Sequence, residues 1–160
     1  MTEFKSFAAF AAHLERLAIA GPEVTHHIAD KAAEEIQKTA KGMIGEYQGA
    51  IGPYPAWEEL ADRTQQERAR LGFSENDPGF RTGEMQKSVE RTVIDAEAAI
   101  GSNDQNLVWF DIGTSKQPPR AVLGAAALHS RERVGAIIGK TMFAWLAGMG
   151  WRKPRITSGD

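Results

Sequence analysis

The sequence predicts an α+β fold, a small antiparallel sheet (a hairpin near 89–102 plus further strands) packed by N-terminal and C-terminal helices. Three observations predict it. Apolar residues recur at three- and four-residue spacing over most of the first half and again near the end. The only convincing period-2 pattern is Val89 to Ile94, with Val89, Arg91 and Val93 on one face and Glu90, Thr92 and Ile94 on the other. Two glycine-centred turns, Arg81-Thr82-Gly83 and Ile112-Gly113-Thr114, bracket that stretch. With 160 residues, 42% hydrophobic and 25% charged, the chain is the size of one domain and can bury a core. It reads as a single α+β domain over 1–150, with an N-terminal helical pair and a surface segment at about 48–80. A flexible C-terminal tail, 151–160, follows.

Phe4 to Ala20 predicts an amphipathic helix with Phe4, Phe7, Phe10, Leu14 and Leu17 on its stripe, Thr2 as cap and Gly21-Pro22 as its end. Pro22 suits the first turn of a second helix, whose stripe is Val24, Ile28, Ala32, Ile36, Ala40, Met43 and Tyr47. Gln48 to Pro55, with two glycines and two prolines, is a loop or short extended piece. Ala56 to Leu71 reads as a charged helix with a sparse apolar face, and Phe73 to Gly79 as a loop. Thr82 can cap a short helix through Ser88. The hairpin then runs through Val89–Ile94 and returns at Ala98–Ser102, with a polar turn at Asn103–Asn106. Leu107 to Phe110 is apolar at four consecutive positions, which fits either a buried strand or one helical turn. Gln117-Pro118-Pro119 is stiff and extended. Ala121 to Leu128 is a short helix or a strand-to-helix passage, and Ser130 is the expected cap of a last helix through Leu146.

The chemistry the sequence excludes is broad. There is no cysteine, so disulfides, thiolate catalysis and cysteine-ligated metals are out. The formal charge is −2, so the chain has no bulk electrostatic attraction for nucleic acid or an anionic membrane. The most apolar window, Val134 to Met149, is broken by Lys140 and by Gly135, Gly139 and Gly148, and is too short to span a bilayer. The N-terminus has no basic region followed by a long apolar run, so it is not read as a secretory signal. His26 and Asp30, four apart on a helix, form a two-ligand half-site without a third ligand at suitable spacing. Gly139-Lys140-Thr141 fails as a phosphate loop because Val134 stands where a glycine is needed. No serine sits in a nucleophile elbow. The expectation is therefore no enzyme, no cofactor and no metal. A nucleic-acid-binding or regulatory module using Arg131, Arg133, Lys140 and the run Arg152 to Arg155 is the alternative.

Several short motifs carry a resemblance by their order and spacing. They are Trp57-x-x-Leu60-x-x-x-Thr64, Phe80-Arg-Thr-Gly-Glu-Met85, Ile100-Gly-Ser, Asp111-x-Gly-Thr114 and Pro118-Pro-Arg120. Over Trp57 to Val134 the chain resembles the small tail-completion, or head–tail joining, proteins of long-tailed bacteriophages and prophages. It departs from them at Met85, where leucine is usual, at Asp111, where glutamate is usual, and at Ala121-Val122, which replace a proline-phenylalanine. The resemblance implies a small α+β subunit of a six-fold ring in the neck or upper tail of a virion, made in the host cytoplasm. Its partners would be further copies of itself and other neck and tail-tube proteins, with DNA passing close by in the lumen and no membrane. It marks Trp57, Arg81, Thr82, Gly83, Met85, Asp111, Gly113, Thr114, Pro119 and Arg120 as the motif residues. A ring needs two different contact patches on one subunit. The expected patches are the Pro53–Gly79 region and the C-terminal tail, with Pro53, Tyr54, Trp57, Phe73, Phe80, Trp151 and Arg152 as interface candidates.

Overall fold

Ser6, not Thr2, opens the first helix: its Oγ accepts the Ala9 N–H at 3.1 Å. Thr2 lies outside residues 3–152, which the computed structural model describes. The elements are α1 (Phe7–Met43), α2 (Asp62–Arg70), α3 (Glu84–Lys87), β1 (Glu90–Ile94), β2 (Glu97–Gly101), α4 (Gln105–Ile112) and α5 (Leu123–Leu146). The antiparallel hairpin β1–β2 between helical N- and C-terminal parts is the α+β arrangement expected.

Three local expectations are corrected and one open alternative is decided. Gly21-Pro22 does not divide a helical pair, because α1 runs unbroken through Pro22. A proline inside a helix removes one hydrogen bond and costs about 3 kcal/mol. Here the turn is held by Thr25 Oγ1, which donates to the carbonyls of Pro22 at 2.9 Å and Gly21 at 3.2 Å. Burial of Val24, Ala29 and Ala33 on the following turns offsets the rest. Next, the helix expected from Ala56 starts only at Asp62. The Glu58 and Glu59 carbonyls, which would begin its ladder, are taken by the Arg120 guanidinium. The Leu60 N–H is taken by the Tyr47 hydroxyl. Leu107–Phe110 falls in α4, capped by Asp104 Oδ1 accepting the Asn106 N–H at 2.9 Å, so no further strand joins the hairpin among the described residues. Finally, Ser130 does not cap a helix. It is fully buried inside α5 and donates to Thr39 Oγ1 at 2.8 Å.

The chain forms two compact units, and α1, the hairpin and α5 each contribute to both. The first comprises Met1–Ala33, Val93–Ala98 and Glu132–Asp160. Its buried positions are small: Val24, Ala29, Ala33, Thr141 and Ala144. Small side chains let the two helix segments lie close. Gly21 stands beside Trp145, and the His13 ring bonds the Leu146 carbonyl at 3.2 Å. The second comprises Glu34–Thr92 and Ala99–Arg131 and holds the larger core. Met43, Ile44, Trp57, Val89, Leu107, Phe110 and Val122 meet there with the alanines 40, 125 and 126. Gln37 ties α1 to β1 in this unit, donating to the Val89 carbonyl at 2.9 Å and accepting from Arg91 at 2.7 Å.

Candidate assembly interface

Most of the motif residues converge in the second unit, as parts of its frame. Trp57 is buried, stands edge-on to Phe110 at 5.3 Å between ring centroids, and donates Nε1–H to the Ala121 carbonyl. It belongs to the core and is not a surface anchor. Arg120 is 3% exposed and lies over the Phe110 ring. Its Nε and Nη2 donate to the Glu58 carbonyl at 3.2 and 2.8 Å, and Nη2 also reaches the Glu59 carbonyl. Burial pushes this guanidinium below its ordinary pKa, partly offset by Tyr47 and Glu58. The arginine staples the extended 55–61 segment to the rest of the unit.

Asp111 supplies the missing start of α5. Its Oδ1 accepts the N–H groups of Val122 at 2.6 Å and Leu123 at 3.0 Å, main-chain donors at the start of the helix that have no partner within it. Between Asp111 and Arg120 the chain makes a closed loop. Gly113 sits at φ +78° and ψ 176°, a backbone region open only to glycine. Thr114 and Gln117 pair by two main-chain bonds, and the Arg120 N–H returns to the Phe110 carbonyl at 2.9 Å. Pro119 completes the loop so closely that a Cβ on Gly113 would stand 2.7 Å from its nitrogen.

The Arg81-Thr82-Gly83 turn is equally structural. Gly83, at φ +80°, precedes α3, and Thr82 Oγ1 donates to Glu84 at 3.1 Å. Arg81 lies over the Phe73 ring and pairs loosely with Glu67 at 3.7 Å. Met85 is half-buried against the core. A residue that sequence reasoning passed over completes this group. Arg68, on the helix read as charged with a sparse apolar face, is 8% exposed and donates to the Asp77 carbonyl at 2.7 Å. Burial and the nearby Arg81 both lower its pKa. Arg68, Arg81, Arg120 and Trp109 line one cavity of about 420 Å³.

The remaining interface candidates divide. Pro53 is exposed and Tyr54 is half-buried with its hydroxyl against Gly124. Phe73 is half-buried and Phe80 is 36% exposed. In the first unit Trp151 stands edge-on to His27, and Arg152 pairs with Glu23 at 2.7 Å. The rest of the expected tail, 153–160, and the basic run there lie outside the described residues. His26 bonds the Asp95 carbonyl at 2.9 Å. Among the described residues no three His, Asp or Glu side chains are grouped to hold a metal ion. None of their helices is long and apolar enough to cross a membrane.

Apolar side chains are also exposed outside the expected patches. In the first unit Phe7, on the N-terminal apolar stripe, is 86% exposed, and Phe143 and Met149 are more than half exposed. In the second unit, Val108, Trp109 and Ile112 stand out from α4, with Ile112 67% exposed. Amphipathic spacing signals an apolar face but not whether the chain itself covers it. No family model, curated protein or solved structure matches the chain.

Proposed function

We propose that the chain is a structural subunit of a tailed-phage particle, a ring protein of the neck or upper tail that completes the tail or joins it to the head. The observation that carries the reading is the convergence of the ordered motifs. Trp57, Asp111, Gly113, Thr114 and Arg120 form one hydrogen-bonded frame, and Arg81, Thr82, Gly83 and Met85 form the turn beside it. Such a frame suits a protein that holds shape against neighbours. The apolar side chains left on both units supply surface for those neighbours. The partners are further copies in a six-fold ring and the adjoining neck and tail-tube proteins, with packaged DNA close to the lumen.

Quantitative mass spectrometry of purified particles tests this. The expected result is the chain at a fixed copy number per particle, and free heads and tails when its gene is disrupted. Particles that lack the chain, or that assemble normally without it, overturn the proposal. Salt-dependent DNA binding by the free protein would favour the nucleic-acid module instead.

A further inference from the structure

Phe4, Phe10, Leu14, Phe143, Leu146 and Met149 line an apolar groove of about 590 Å³ in the first unit. Every one of them is 38% exposed or more. Phe7 extends the same face of α1 and is almost fully open. With aromatic side chains of 150–250 Å² each, this face presents roughly 700 Å² of apolar surface. The largest patch on an ordinary monomer is about 300–600 Å². A stable protein–protein interface takes about 800 Å² from each partner. The face is thus of the size of one side of an interface.

The second unit carries a ridge that fits such a groove. Val108, Trp109 and Ile112 are 40%, 50% and 67% exposed on α4. Their spacing, i, i+1 and i+4, puts all three on one side of an eight-residue helix. Helix-in-groove recognition uses anchors three and four residues apart, the separations of Trp109 and Val108 from Ile112. We infer that the ridge of one copy, Val108–Trp109–Ile112, docks in the groove of the next. The inference rests on the assembly reading for its occupant, a second copy of this chain. Two different patches meet in this contact, so it is heterologous, and repeated it closes into a ring or extends into a fibre. Neither the groove nor the ridge is built from residues of the Pro53–Gly79 segment.

The test mixes two variants of the full chain. Phe143→Glu spoils the groove and leaves the ridge; Ile112→Glu spoils the ridge and leaves the groove. The wild-type protein is expected to self-associate at about 100 µM in sedimentation velocity, and each variant alone to weaken by at least about a hundredfold. Mixed, the two variants are expected to form a 1:1 dimer that grows no further, because one good groove and one good ridge remain. A monomeric wild-type chain, or a mixture that stays monomeric, overturns the contact. So does an Ile112→Glu chain that associates like wild type, the signature of groove meeting groove. Melting curves check that both variants fold, and Met149→Glu and Val108→Glu replace any that does not. A chain that is present in particles while its mixed variants fail to pair overturns the contact and leaves the assembly reading standing. Pairing variants of a chain absent from particles do the reverse.

Discussion

Gly113 shows how one residue limits the choice at its position. It combines a glycine-only backbone with a wall of main-chain atoms, Pro119 N at 2.7 Å and Gln117 O at 3.0 Å from any added Cβ. Gly72 is at a similar φ, +76°, with open space around it. Gly72→Ala should therefore cost only backbone strain, about 1 kcal/mol. Gly113→Val should cost at least about 3 kcal/mol, strain and clash together, because the obstacle is backbone and cannot swing away. Guanidinium chloride denaturation of the two variants measures the difference, and equal losses would refute the steric account. The turn at Gly113 was legible because its signal is local: glycine followed by threonine, then prolines. Arg68 and Arg120 were not legible as buried, since nothing adjacent in sequence announces the carbonyls they bind. Ser130 was misread for the related reason that a serine ahead of an apolar repeat looks the same as one inside a helix, where its hydroxyl meets Thr39.

Among the elements, the hairpin was read nearly to its ends, because alternation fixes both period and face. The helix limits were not, because partners distant in sequence set them. Asp111 starts α5 from eleven residues upstream, and Arg120 delays α2 by binding the Glu58 and Glu59 carbonyls. Helix α1 also carries a titration. Burial, then Lys31, lowers the pKa of His27 from its ordinary 6.5; Arg152 and His26 add to this and Asp30 opposes it. Between that lowered value and 6.5 the unfolded chain holds the proton more readily, so stability rises with pH through this window. The contribution is complete above 6.5 and lost as pH falls through the folded value. Melting temperatures below pH 6.5 are therefore expected to decline less steeply in His27→Gln than in the wild type. Parallel profiles would show that His27 is not responsible.

For the molecule as a whole, the fold class was legible and the division into two units was not. Each unit gathers stretches far apart in sequence, and no linker composition marks the passage. The exposed stripe at the N-terminus was also beyond the sequence, since periodicity reports a face and only the tertiary structure reports whether it is covered. The interlacing makes the first unit indivisible. The first unit draws on both ends and on the hairpin tip, so every single cut divides it, and any cut between 34 and 131 divides the second as well. A protease nick in the exposed 74–76 stretch should therefore release no folded fragment. Its two pieces should co-elute in native buffer and part only in denaturant. No truncation point or recombination crossover passes the first unit on intact, so that unit is exchanged only with the whole chain, whereas a boundary outside 34–131 spares the second.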